Sequence, residues 1–259
     1  MNRGVNQEAV MINAFGQPIG TPVSDWTARA EPPHTPLSGH FCRLEPVDVD
    51  RHMEGLYGAY SSAADGRDWT YMSAGPFADA ASFRSHLAKA AASRDPLHYA
   101  IIDLATNEPV GMLALMRIDR GNGVIEIGHV AYSPLLRRTS AATEAMFLLL
   151  RHVFDDLGYR RCEWKCDHLN APSRAAALRY GFQYEGIFRQ AVVYKGRTRD
   201  TAWFAMIDLD WPTIRAGFER WLAPENFDAD GVQRLSLANW IAAQRAPTEQ
   251  RSGDPAQGE

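Results

Sequence analysis

The sequence predicts a mixed α/β fold, a central sheet with helices on both faces. Three observations carry this. Apolar segments of strand length alternate with helical ones along residues 41–209. From Ala142 to Leu157, apolar residues recur at three- and four-residue steps, the period of a buried helix face. Late in the chain, two strand-like segments flank Lys195–Gly196–Arg197 as in a hairpin. The element order is strand, two helices, three strands, helix, strand, helix, two strands, which gives a mixed sheet.

Taken in order, residues 41–47 read as a strand and 48–62 as a helix, with Asp48 as N-cap. An aromatic loop, 69–76, precedes a helix over 77–92. Strands over 99–104 and 110–117 are joined by a turn at 106–109. A turn at 121–123 leads into a strand over 124–132. The long helix follows, and Gly158 ends it. Next come a strand over 161–166 and a helix over 172–180 stopped by Gly181. Strands over 182–194 and 198–209 form the hairpin, and helical segments lie near 213–222 and 235–243.

The chain has 259 residues, 46% of them hydrophobic, enough for a sizeable core. Its net charge of −4 disfavours a broad grip on nucleic acid, so no direct nucleic-acid partner is expected. No apolar run approaches the ~20 residues that cross a bilayer. The first ten residues lack an apolar signal core, so no membrane partner is expected. Three cysteines, Cys42, Cys162 and Cys166, make no disulfide framework and predict a reducing, cytoplasmic setting. Cys162 and Cys166 flank Trp164 at strand spacing and read as small apolar residues on one strand face, so no metal is expected. Residues 1–37 read as a proline-punctuated extension whose Ile12, Phe15 and Trp26 could dock on the body. A domain over 38–210, a helical extension over 211–246 and a flexible tail over 247–259 complete the expected organisation. Docked extensions would also suit a homodimer.

The segment Val124–Ala145 reads VIEIGHVAYSPLLRRTSAATEA. A strand ends, a loop with two arginines follows, and a helix begins. The first helical turn leaves backbone N–H groups unpaired at the positive end of the dipole, so it attracts anions. Arg137 and Arg138 add charge-assisted donors. This loop resembles the pyrophosphate-binding signature of GNAT acetyltransferases, Q/R-x-x-G-x-G/A. Arg137 takes the first position, Ala142 the last, and Ser140 stands where the pattern has glycine. If that position needs positive φ, serine costs roughly 1 kcal/mol; in right-handed helical backbone it costs little. A second block, Asn170–Gly186, reads NAPSRAAALRYGFQYEG. It is similar to the ribosomal-protein N-terminal acetyltransferase branch of that superfamily, as is the helix opening Ala142–Thr143–Glu144–Ala145.

The resemblance implies an acetyl-CoA-dependent N-acetyltransferase using acetyl-CoA as cosubstrate. Arg137, Arg138, Thr139, Ser140, Ala141 and Ala142 would hold the pyrophosphate. Two parallel strands, 124–132 and 161–166, would splay, and backbone groups of Val130 and Tyr132 would bond pantetheine between them. Asn170 would bond the pantetheine arm, or simply cap its helix.

Amine attack on a thioester needs a proton acceptor, an oxyanion site and a donor to the thiolate. Glu126 is the candidate base, acting through water, because a carboxylate on an apolar strand needs either partners or a raised pKa. A structural carboxylate paired with an arginine is the alternative. Ser173 matches the branch's thiolate donor, or caps its helix. Many relatives use a tyrosine where this chain has Ala177, and Val192 stands where the branch can carry a glutamate base. His129, on the opposite strand face from Glu126 by alternation, is either catalytic or a buried, hydrogen-bonded histidine. Trp69 and Tyr71 would line the acceptor site, or pack in the core. The tryptophans at 203, 211, 221 and 240 read as core or helix anchors, and Tyr180 as core or rim. The acceptor expected is a peptide α-amine or a small-molecule primary amine. A catalytically silent acyl-CoA-binding regulator is the competing class.

Overall fold

The computed structural model describes residues 11–245, and the expected tail over 247–259 lies outside them. The first two strands, β1 (Met11–Ile12) and β2 (Pro18–Ile19), form a small separate hairpin. Its turn is closed by the Asn13 carboxamide oxygen, which accepts from the backbone of Phe15 and Gln17. This local closure leaves Ile12 and Phe15 58% and 87% exposed, so neither docks as expected. Trp26 does dock: its indole N–H donates to the Gly121 carbonyl, and its ring lies against Gly123 between Arg29 and Arg160.

The main sheet has eight strands: β3 (Leu37–Ser38), β4 (Cys42–Pro46), β5 (Leu97–Asp103), β6 (Glu108–Asp119), β7 (Val124–Tyr132), β8 (Arg161–Asp167), β9 (Gln183–Tyr194) and β10 (Arg197–Ile207). Their spatial order is β3-β4-β5-β6-β7-β8-β10-β9, antiparallel except for the parallel β7–β8 pair. The β9–β10 turn is Lys195–Gly196, both at positive φ, the two-residue geometry that follows the twist of a hairpin.

Helices α1 (Val49–Ser61) and α2 (Ala80–Ala92) cover one face. Asp48 caps α1 by accepting from the Arg51 amide, as its position predicts. Helix α2 starts three residues later than its pattern suggests, because Asp79 and Ser82 form a reciprocal capping box there. Leu56, Phe83, Leu87, Ala100, Ile102 and Met112 make the core beneath this pair.

Helix α3 (Ser140–Arg151) lies on the other face, beside α4 (Ala171–Arg179), α5 (Trp211–Leu222) and α6 (Leu237–Arg245). Every residue from Ala141 to Leu150 is buried, because α5 covers the side of α3 that the sheet does not. The helix ends earlier than the apolar repeat predicts and continues as a π-helical turn, His152–Asp156, before Gly158 reverses the chain at φ +64°. Glu144 of α3 is 2% exposed and accepts from the amides of His40, Phe41 and Cys42 at 2.6–2.8 Å, tying the first turn of the sheet to the helix.

Candidate active site

The β7–β8 ladder contains three pairs only, Val124↔Arg161, Ile125↔Cys162 and Glu126↔Glu163. Beyond Glu126, β7 pairs with β6 alone, and β8 pairs with β10 alone. The two strands therefore part at their C-terminal ends, and Val130 and Tyr132 lie on β7 beyond its last pair with β8. The Tyr132 hydroxyl donates to the Ala142 carbonyl at 3.2 Å, joining this strand end to the first turn of α3.

The loop between them folds as a helix entry. Thr139 is the N-cap; its Oγ1 accepts from the Ala142 amide at 3.2 Å and donates to the Leu136 carbonyl. Positive φ falls on Arg138, at +63°, and Ser140 is the first helical residue. Serine at the glycine position thus costs little. Ala141 and Ala142 are buried. The Arg137 side chain is ion-paired with Asp68 and donates to the Tyr132 carbonyl at 3.0 Å. Both partners orient the guanidinium across the loop.

Asn170 caps α4, its Oδ1 accepting from the Ser173 amide at 3.1 Å. The Ser173 hydroxyl accepts the Trp164 indole N–H at 3.0 Å, which leaves its own O–H as a donor. Ala177 is fully buried, Tyr180 lies in the core against Trp164 and Phe218, and Val192 is 37% exposed on β9.

Glu126 is 3% exposed. Arg117 Nη1 lies 2.7 Å from its Oε2 and Lys165 Nζ 2.9 Å. Lys165 also bridges to Glu163 at 2.5 Å and stands 3.8 Å above the Trp203 ring. Burial pushes the Glu163 carboxyl up. Hydrogen bonds from Lys165 and Arg161, with their charges, outweigh this and hold it below the usual carboxylate range. Sequence patterning leaves Lys165 less conspicuous than Glu126. Its signal is the alternation Glu163, Lys165, Asp167 against Cys162, Trp164, Cys166: one strand, a charged face and an apolar face. The three cysteines are free and buried.

His129 does not lie on the face opposite Glu126. Met112 pairs with Ala131 and Ala114 with Gly128, so two residues of β7, His129 and Val130, stand against Leu113 alone. This β-bulge, with His129 at φ +49°, breaks the alternation. Ala114 pairs with both His98 and Gly128, which puts those two residues and Glu126 on the α1/α2 face. The His129 ring is 4.9 Å from the His98 ring on that same face.

Trp69 packs edge-on against Tyr60 and Phe77 and lines the small cavity that contains His98 and His129. Tyr71 turns elsewhere, its hydroxyl donating to the Leu169 carbonyl at 3.2 Å. The hairpin tip closes on this loop. Lys195 Nζ donates to the Trp69 and Ala74 carbonyls at 2.7 and 3.2 Å, and Arg197 donates to the Thr70 carbonyl at 3.0 Å. Three hydrogen bonds therefore join the loop to the hairpin tip. Among the described residues, no group of three or more His, Cys, Asp or Glu side chains could hold a metal ion, and no helix is long and apolar enough to cross a membrane.

Comparisons with known proteins agree with this geometry. A GCN5-related N-acetyltransferase from Brucella melitensis shares 47% identity, with a TM-score of 0.84 over 85% of this chain and 100% of that one. The microcin C7 self-immunity acetyltransferase MccE, solved with acetyl-CoA and AMP, shares the fold at 20% identity and a TM-score of 0.57, over 65% of this chain and 93% of that one. An uncharacterized N-acetyltransferase of Bacillus licheniformis is 31% identical over 116 residues; the match covers 44% of this chain and 63% of the length of that curated relative. The family model described as an acetyltransferase (GNAT) domain matches residues 43–183, more than half of the chain. With its parted parallel strands and capped helix entry, the chain belongs to the GNAT acetyltransferase family.

Proposed function

We propose that the protein transfers an acetyl group from acetyl-CoA to a primary amine by direct attack on the thioester. The observation that carries this reading is the opening where β7 and β8 part, directly beside the Thr139-capped entry of α3 with Arg137 and Arg138. An extended pantetheine chain fits the opening as a strand, and its pyrophosphate meets unpaired amides and guanidinium groups. Within the proposal, residues 137–142 hold the pyrophosphate, backbone groups of Val130 and Tyr132 bond the pantetheine amides, and Asn170 bonds the arm. Glu126 is the carboxylate that draws off the ammonium proton. It is too buried to touch an amine, so it works through water. Ser173, whose hydroxyl accepts from the Trp164 indole and lies within hydrogen-bond reach of the Cys166 thiol, protonates the thiolate. Trp69 and Tyr71 belong to the loop that forms one wall of the acceptor site.

The acceptor is a peptide α-amine or a small amine rather than an internal lysine of a folded protein. The bridging of residues 69–74 by Lys195 and Arg197 supports this, because it leaves a covered slot instead of an open groove. The second reading, a silent acyl-CoA-binding regulator, is favoured only by the buried Ala177 where many relatives have a tyrosine. Thiol release from acetyl-CoA, measured across short peptides, free amino acids, polyamines and lysine peptides, separates the two. The proposal expects amine-dependent release with at least one α-amine or small amine. CoA binding without release for any amine supports the regulator instead.

A further inference from the structure

The two histidines on the α1/α2 face have no role in the account so far. Three features of their surroundings are unusual together. His129 is a non-glycine residue at φ +49° inside a strand, a conformation that side chains with a Cβ rarely adopt. It is held there by the bulge that turns its ring into the cavity. His98 is 6% exposed, and its Nδ1 has no hydrogen-bond partner among the described residues. A buried polar nitrogen left unpaired costs about 1–3 kcal/mol unless something bonds it.

The cavity itself suggests what does. Tyr60, Trp69, Phe83, His86, His98 and His129 are among its walls, and about 20 Å³ is free inside for a water-sized body. That is room for about one water molecule, and far too little for an acceptor side chain. The cavity lies against Ala131, the residue between the two proposed pantetheine contacts. We propose that His98 and His129 form a proton relay with one water in this cavity, carrying the acceptor's proton away from the attacking amine. This rests on the proposed acetyl transfer and deepens it: Glu126 draws the ammonium proton by favouring the imidazolium at His129, and the histidines with their water supply the route.

The step balances without a further reactant. One N–H bond of the bound ammonium breaks, and its proton passes to the water. The water gives a proton to the His129 imidazole. The freed lone pair attacks the thioester carbonyl; as the C–S bond breaks, the Ser173 O–H proton passes to the thiolate, and the second proton lost from the amine nitrogen restores the Ser173 hydroxyl. The imidazolium then releases its proton to solvent.

The electrostatics suit a neutral relay. Burial lowers the His98 pKa to about 4, helped by the neighbouring charges of His129, His86 and His34. Burial lowers that of His129 too, and Arg117 adds to this while Glu126 opposes it. His86 on α2 is lowered by burial, with contributions from His129 and Lys89. Tyr60 of α1 is held protonated by burial. Both relay rings are therefore neutral near pH 7 and able to accept a proton. Glu126 is the one group among these that favours an imidazolium at His129.

The test uses the full chain with saturating acetyl-CoA and the amine that gives the fastest thiol release. His129→Asn suits the positive φ, which asparagine tolerates. It is expected to lower kcat by ~10²-fold at pH 7 and leave CoA affinity unchanged. The wild-type rate should fall as pH drops through a value below 6.5. In His129→Asn this limb should vanish, leaving a rate that tracks the free-base fraction of the amine. His98→Gln should give a smaller loss with the limb moved. Glu126→Gln should shift the limb to lower pH, because it removes the charge that favours the imidazolium. A His129→Asn enzyme with wild-type kcat and an unchanged acidic limb overturns the relay. Histidine NMR titration of the acetyl-CoA complex provides an arm that needs no acceptor. Signals of His98 and His129 titrating below 6.5 support the relay, and either one charged at pH 7 overturns it. If no amine stimulates release, the proposed acetyl transfer has failed, and the titration alone then decides whether the neutral pair exists.

Discussion

Removing the Lys165 ammonium while keeping its bulk, as Lys165→Met, tests the charged floor of the site. The lysine side chain is 7% exposed and lies 2.9 Å from Glu126 and 2.5 Å from Glu163, which are partners in the parallel ladder. Without it, two buried carboxylates face each other across adjacent strands. Breaking a buried pair by removing one partner costs ~3–5 kcal/mol. Each carboxylate keeps one guanidinium, Arg117 at 2.7 Å and Arg161 at 2.8 Å, so the lower end applies, ~3 kcal/mol. At ~2–4 °C per kcal/mol for a chain of this size, Tm should fall by ~6–12 °C at pH 7. The pH dependence gives a second check. The folded pKa of Glu163 is depressed, so its contribution is present above the unfolded value of ~4.3 and is lost as pH falls through the folded value. In Lys165→Met, burial is less opposed and the folded value rises, so protonation relieves the variant first. The Tm gap between wild type and variant should therefore narrow from pH 7 to pH 4. A loss below ~1 kcal/mol, or a gap that stays constant with pH, would refute this picture of the network.

Other perturbations address separate parts of the account. Arg137→Glu puts a carboxylate beside the proposed pyrophosphate site and should weaken CoA by at least ~1–3 kcal/mol; unchanged affinity by calorimetry, with the fold intact, removes the loop from the cofactor site. Glu126→Gln should lower kcat by ~10²-fold with CoA binding nearly unchanged, and recover in part at high pH where the amine arrives deprotonated; wild-type turnover would make Glu126 a structural carboxylate. Ser173→Ala should cost less, ~10-fold in kcat, and a silent Ser173→Ala beside a crippled Tyr180→Phe would move the donor role to the tyrosine. Glu144→Ala strands three amides, those of His40, Phe41 and Cys42, and at ~1–3 kcal/mol for each unpaired group should produce a strongly destabilised chain; a Tm within a few degrees of wild type contradicts that role.

Much of this site is legible in the sequence because local rules govern it. Strand β7 carries the bounds its pattern predicts, and the cap at Asp48, the stop at Gly181 and the Lys195–Gly196 turn follow residue chemistry that acts over a few positions. The helix entry at Thr139 resolves the serine question for the same reason. What the sequence hides is set by distant partners. The bulge at His129 exists because β6 and β7 differ by one residue in register, and no single segment shows that. Strand alternation consequently misplaces the histidine. His98 carries no signal of its own in the sequence, and its meaning depends on His129 arriving beside it. The helix pattern over 142–157 conceals the π-turn, since both windings bury Val153 and Phe154. Ile12 and Phe15 look ready to dock, yet the Asn13-closed hairpin holds them in solvent.

The central claim is acetyl transfer to a primary amine at the β7–β8 opening. It is tested most directly with isotopically labelled acetyl-CoA, incubated with the wild-type protein and with Arg137→Glu in the presence of the amine panel, followed by mass spectrometry of every acceptor. The account predicts a labelled acetyl group on an α-amine or a small primary amine, in an amount that rises with enzyme and falls sharply in the variant. Label on internal lysine side chains alone, or on no amine while CoA still binds, would contradict it.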